Sequence, residues 1–228
     1  MEYIIIILIS LIFIILLKKI FNIKISVLKN YKEDEKLIKI TDKFPNNMEL
    51  TKEVLEKLKN ETVKVKENAD SETSLYVALT NTISISTKKN SCTRIQTIAH
   101  ECVHSVQNRI VQVSNFIISN VYIIYFFTIL VLTIFNLINN PLLYLNILIL
   151  LGTLQLVIRV YLEMDAMIKA KYVAKEYMQE KKLISKEEID VLCDEYDKIN
   201  KIGIPFYVWN LFTSNMVKII IYAVIVLI

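Results

Sequence analysis

Apolar residues in this chain come in long blocks rather than at helical or strand periods. Residues 4–17 form a nearly unbroken apolar run, lengthened by Met1–Tyr3 and closed by Lys18 and Lys19. Residues 116–138 and 142–162 are two longer runs, separated only by the turn Asn139-Asn140-Pro141. Residues 206–228 make a fourth, with Lys218 inside it. Runs of this kind suit a helix crossing a hydrocarbon layer, which takes about 20 residues. The pattern predicts about four membrane spans. The middle two form a hairpin, so its two open ends lie on the same side. A cleaved leader calls for a basic start and a small-residue cleavage site. Met1-Glu2-Tyr3 and the leucine-lysine end of the first run fit an uncleaved anchor instead.

Between the blocks the period changes. Residues 49–59 read as an amphipathic helix, with Leu50, Val54, Leu55 and Leu58 on one side. Val63 and Val65 alternate with polar residues, and Thr82-Ile83-Ser84-Ile85-Ser86 is a short alternating strand. Residues 94–113 contain no Gly or Pro and read as one helix. After the hairpin, residues 163–182 continue as a polar helix, and Ser185 with Glu188 spells a capping box that starts another. Gly203-Ile204-Pro205 is expected to end that helix near residue 200. The organisation this predicts is an anchor (1–20), a polar α/β region (21–115), a transmembrane hairpin (116–162), polar helices (163–202) and a C-terminal membrane segment (203–228). The class is a mainly α, multi-pass membrane protein.

Composition and charge narrow the function. Hydrophobic residues make up 54% of the chain, with only 2 Gly and 3 Pro to break helices. The net charge of +4 comes without a basic stripe interleaved with aromatics, which argues against nucleic acid as a partner. Three cysteines, with no C-x-x-C pair, argue against a disulfide framework and for a reducing compartment. Lys and Arg crowd residues 18–109 and 169–201, whereas the Asn139–Pro141 turn has none. The positive-inside rule then puts the polar segments in the cytoplasm of a cell-membrane protein, with both termini outside.

The whole chain holds two histidines, and they stand four apart in His100-Glu101-Cys102-Val103-His104. On a helix, residues four apart share a face, so both imidazoles can reach one Zn²⁺ while Glu101 handles a water proton. Zinc hydrolases take three protein ligands plus water, and no third histidine exists. Cys102 falls on another face and reads as packing. Glu163 is the better candidate, because the hairpin returns it to the leaflet from which the histidine helix departs. It reads equally well as an acid that starts the next helix. Asp165 is a candidate carboxylate behind a ligand histidine. The strand Thr82, Ile83, Ser84, Ile85 and Ser86 is a candidate for pairing with an extended substrate, unless it is interior to a sheet.

These residues resemble a known group. Thr97-Ile98-Ala99-His100-Glu101-Cys102-Val103-His104-Ser105-Val106-Gln107 resembles the A-H-E-V-G-H-A-x-Q signature of the YugP-like neutral zinc metallopeptidases of bacterial membranes. Leu162-Glu163-Met164-Asp165-Ala166 resembles their E-F-D-A segment, and Leu183–Glu188 their I-L-T-P-E-E helix start. The order of parts is similar over nearly the whole chain. The resemblance implies a zincin-like helix-and-strand catalytic region, His100, His104 and Glu163 as zinc ligands, and Glu101 as general base. Where the family has a small residue this chain has Val103, preceded by Cys102. The implied function is a zinc-dependent endopeptidase acting on membrane-proximal or unfolded proteins. The alternative is a catalytically silent membrane scaffold that keeps the fold. Oligomeric state and natural substrate are not legible.

Overall fold

The computed structural model describes residues 1–26, 34–69, 71 and 73–228. It is mainly helical, with one small sheet. In chain order the described elements are α1 (Glu2–Ile20), α2 (Glu35–Thr41), α3 (Asn47–Lys57), β1 (Lys64–Asn68), β2 (Leu75–Val77), β3 (Thr82–Ser86), α4 (Arg94–Val106), α5 (Arg109–Ile134), α6 (Pro141–Lys181) and α7 (Lys186–Leu227). The chain divides into two compact units. One comprises Met1–Ile25, Ser114–Tyr161 and Ile202–Ile228, and the other Ser26–Val113 and Leu162–Lys201.

The apolar unit draws on the four helices that are long and apolar enough to cross a membrane: α1, α5, α6 and α7. Its core is aromatic and leucine-rich, with Tyr122, Phe126 and Ile129 from α5, Leu145 and Leu148 from α6, and Ile219 and Tyr222 from α7. The outward faces carry large exposed apolar side chains such as Ile124, Phe127 and Leu150, which in water would be a liability and in lipid are solvated. Gly152 is one of the chain's two glycines. A Cβ there would come within 3.1 Å of the Tyr122 ring, so the missing side chain admits the tyrosine.

The polar unit packs α3, β3, α4 and the polar stretches of α6 and α7 around Leu50, Val54, Ile83, Ile85, Ile95, Ile98, Tyr177, Met178, Leu192 and Tyr196. The period-2 pattern of β3 buries Ile83 and Ile85 on one face. The sheet order is β1-β3-β2, with β1 parallel and β2 antiparallel to β3. Asn46 caps α3 through Glu49 N–H at 2.9 Å, and Ser185 and Glu188 form the reciprocal box at 2.8 and 3.2 Å.

Two helix boundaries differ from expectation. Residues 94–113 are not one helix: α4 stops at Val106 and α5 starts at Arg109. Gln107 is extended (ψ 162°), and the Asn108 side chain accepts from Ile110 N–H at 2.9 Å, so a polar residue performs the stop and restart usually read from Gly or Pro. Conversely, α7 runs through Gly203 and Pro205 without ending. Proline removes one helical N–H, leaving the carbonyl of Lys201 for other partners, and Lys201 is exposed to solvent that can supply them.

Candidate metal centre

The centre lies wholly within the polar unit. α4 is amphipathic, and its inward face (Ile95, Ile98, Ala99, Cys102) fixes the rotation of the helix against the core. That rotation turns His100 and His104 to a shared, half-buried face, with their Nε2 atoms 3.0 Å apart and their rings edge to face. Glu163, from α6, joins them: its Oε2 is 3.5 Å from His100 Nε2 and 3.7 Å from His104 Nε2. Among the described residues, these three form a group able to hold a metal ion, all donor atoms lying within 4.8 Å of one another. A triangle with edges of 3.0, 3.5 and 3.7 Å has a point about 2 Å from every corner, which matches zinc–nitrogen and zinc–oxygen bonds of about 2.0–2.2 Å. The spacing therefore lets all three side chains ligate one small metal ion. It does not by itself identify the metal, since imidazole and carboxylate also suit other divalent ions.

Electrostatics favour a cation there. Burial pushes the Glu163 carboxyl up, but hydrogen bonds to His100 and His104 outweigh burial and hold it well below the usual carboxylate range. The centre thus keeps a fixed negative charge beside two imidazoles.

Gln107, freed by the break after α4, sets the histidine tautomer. Its Nε2 donates to the Leu162 carbonyl at 2.8 Å and to Asp165 Oδ2 at 2.9 Å, which orients Oε1 toward His104 Nδ1 at 2.8 Å. An amide oxygen only accepts, so Nδ1 carries a proton; Nε2 faces Glu163 and, once without a proton of its own, is the atom able to ligate a metal. The expectation that Asp165 itself supports a ligand histidine is corrected on this point: its partners are Gln107 and, at 2.7 Å, Lys169. It acts on His104 through the Gln107 amide. Nothing but the spacing His104-x-x-Gln107 signals this in the sequence.

Glu101 lies on the adjoining side of α4 and is almost fully buried. Its Oε2 accepts the Tyr76 amide N–H of β2 at 2.6 Å. Burial raises its pKa, against the opposing pull of His100 and His104. A carboxylate with one oxygen fixed and a raised affinity for protons is suited to exchange protons through the other. The Tyr76 contact is made by backbone, so no residue type announced it.

The remaining candidates separate. Cys102 is buried, its Sγ faces the Thr51 carbonyl at 3.9 Å, and burial raises its thiol pKa strongly, which suits packing rather than ligation. Val103 is buried, and the three donors converge with it in place. Thr82–Ser86 is the central strand, with β1 on one side and β2 on the other. Its backbone is already paired, so the expectation that it pairs with a substrate is corrected. The edge beside Glu101 is that of β2, where Leu75 and Val77 are exposed. Compared with protein-family models, curated proteins and solved structures, the chain finds no match.

Proposed function

We propose that this chain is a zinc-dependent endopeptidase of the YugP-like type, with a zincin-like catalytic region, working at a membrane and cutting exposed peptide segments on its cytoplasmic side. The observation that carries the reading is the meeting of His100, His104 and Glu163 donors from two helices far apart in sequence, with the Glu101 carboxylate on the same turn of α4. A metal scaffold needs the first three; only hydrolysis has a use for the fourth.

Zinc held by such a set supplies a Lewis acid that polarises a carbonyl and makes water more acidic. The chain's own residues do the rest. Glu101, anchored at Oε2 by Tyr76 N–H, takes a proton from the attacking water at Oε1. The water oxygen bonds to the scissile carbonyl carbon, the C–N bond breaks, and the proton passes from Glu101 to the departing amine. Gln107 holds His104 in the tautomer whose Nε2 can ligate. An extended peptide lies along the exposed Leu75 and Val77 side chains of β2, while the Tyr76 N–H stays with Glu101.

Metal analysis of the detergent-purified protein, followed by casein cleavage, tests this. The expected result is one zinc per chain in wild type and in Glu101→Gln, loss of zinc in His104→Ala, and loss of cleavage in both variants. Equal cleavage by wild type and Glu101→Gln at equal zinc content would reduce the centre to a binding site.

A further inference from the structure

The apolar unit contains a second polar cluster that peptide hydrolysis does not use. A cavity of about 170 Å³ lies among α5, α6 and α7. Ser119 and Tyr122, Gln155 and Arg159, and Asn215 and Lys218 line it, and no acidic residue does. The deficit extends beyond the cavity. Apart from Glu2, the residues of this unit include no Asp or Glu, whereas Arg159 and Lys218 both fall within its apolar stretches. A cation in a bilayer is costly and is found where it meets an opposite charge, a polar pathway or the headgroups.

Neither cation is fully engaged. Arg159 donates Nε–H to Tyr207 OH at 3.0 Å, which leaves its two terminal amino groups for a ligand. Lys218 donates to the Ser214 carbonyl at 3.3 Å and its Oγ at 3.0 Å, and its ammonium sits 5.2 Å from the centre of the Tyr122 ring. The cavity-lining hydroxyls of Ser119 and Tyr122 are buried and have no hydrogen-bond partner among the described residues. The cavity thus offers donors of both charged and neutral kinds with no acceptor of matching charge.

Depth indicates where the acceptor comes from. Arg159 follows Pro141 by 18 residues on one helix, roughly 27 Å at 1.5 Å per residue. That nearly spans a hydrocarbon core of about 30 Å and sets Arg159 at headgroup level, away from the hairpin turn. Cross-helix contacts put α7 in register with this. Tyr222 OH donates to the Pro141 carbonyl at 3.2 Å, Asn215 Nδ2 to that of Gly152 at 2.9 Å, and Tyr207 meets Arg159. Lower α7 numbers therefore lie toward Arg159. By bending back to Ser214, Lys218 carries its ammonium toward the same end, as a snorkelling lysine does. At that level the abundant acceptor is lipid phosphate, and basic pockets between membrane helices bind anionic headgroups.

We propose that this cavity binds the phosphate of an anionic phospholipid, whose acyl chains lie along the exposed apolar faces of the neighbouring helices. Arg159 takes the phosphate with its planar fork, Lys218 adds a point charge from the deeper side, and Ser119 and Tyr122 supply neutral donors.

The test uses the full-length protein in neutral detergent. Phosphatidylglycerol, phosphatidylcholine or inorganic phosphate is added, with thermal unfolding and native mass spectrometry as readouts. Wild type is expected to retain one phosphatidylglycerol per chain and to unfold several degrees higher with it, with no such effect of phosphatidylcholine. Arg159→Gln and Lys218→Met are expected to weaken retention at least tenfold, and Arg159→Lys less. Lys218→Met, freed of an unpaired cation, is expected to remain folded and to lose the thermal response. The wild-type comparison of lipids stands even if a variant fails to fold. Equal response to both lipids, unchanged retention in a folded Lys218→Met, an equal shift with inorganic phosphate, or a co-purifying membrane protein that occupies the chain in place of lipid would each overturn the proposal.

Discussion

Two polar clusters in this chain have opposite deficits. At His100, His104 and Glu163, three side chains able to ligate a metal, one of them a carboxylate held ionised, converge. At Arg159 and Lys218, two cations and two unpartnered hydroxyls line a cavity with no acid. Both differ from a third cluster that is nearly complete in itself. The buried Arg94 guanidinium donates to the carbonyls of Thr41, Phe44 and Pro45 and to Asn47 Oδ1 at 2.6–3.0 Å. Stability comes from polar groups that find their partners within the chain. The other two clusters differ in what they could take: His100, His104 and Glu163 could hold a metal ion, and the cavity at Arg159 and Lys218 is the one proposed for a phosphate.

The sharpest way to break this contrast is at Glu101, which belongs to neither deficit. Glu101→Gln keeps the shape and the Tyr76 contact but cannot take a proton. Peptide cleavage is expected to fall about 10²- to 10⁴-fold, with metal content unchanged by elemental analysis. If zinc were lost as well, Glu101 would be part of the ligand set and the separation of holding from hydrolysis would fail.

Next in size is the self-contained cluster. Arg94→Met leaves buried acceptors on the loop after α2 without donors, and a loss of about 3 kcal/mol or more in unfolding free energy is expected. The loss should be the same with zinc present or chelated, because the guanidinium's partners are Thr41, Phe44, Pro45 and Asn47, none of them in the metal centre. A penalty that shrank on adding metal would instead tie Arg94 to the centre. Smaller again is Gln107→Ala, which removes the acceptor at His104 Nδ1. Metal affinity is expected to fall roughly 10- to 100-fold, measured by competition with a chromophoric chelator. Asp165→Asn should weaken it less, since Asp165 reaches the histidine only through the glutamine amide. An Asp165 effect equal to that of Gln107 would mean the carboxylate sets the histidine more directly than the distances imply.

How much of this was legible follows from how local each signal is. His100 and His104 share a face because helices repeat every 3.6 residues, so their meeting could be read from spacing alone. Glu163 needed one further step, the hairpin, which the apolar runs supplied. Four membrane-length helices were legible for the same reason. Strand order was not. β2 is three residues long, too short to show a period, yet it makes β3 central and supplies the N–H that holds Glu101. The break after Val106 was hidden because Asn108, rather than Gly or Pro, makes it. The continuation through Pro205 was hidden because a proline's cost depends on what surrounds the orphaned carbonyl. The cavity at Arg159 and Lys218 joins side chains 59 positions apart, and only the packing of α6 against α7 shows that the two charges share one space.

The smallest expected effect concerns an ion pair complete at the surface. Glu53 accepts from Tyr177 OH at 2.5 Å and pairs with Lys181. Partial burial raises its pKa, but these two partners lower it further, so the folded value lies below the unfolded one. A carboxylate depressed in the folded state stabilises it above the unfolded pKa, about 4.3, and that contribution disappears as pH falls through the folded value. Glu53→Gln is therefore expected to lower the thermal midpoint slightly at pH 7 and to converge on wild type as the pH falls through the folded value. Because the pair meets solvent, the effect should stay below about 1 kcal/mol and shrink in 1 M salt. Chelating the metal should leave the difference between the two proteins unchanged, since every partner of Glu53 is already in the chain. If chelation moved it, the surface pair and the centre would be coupled, and the distinction between complete and waiting clusters would have to be redrawn around α6, which carries Tyr177, Lys181 and Glu163 alike.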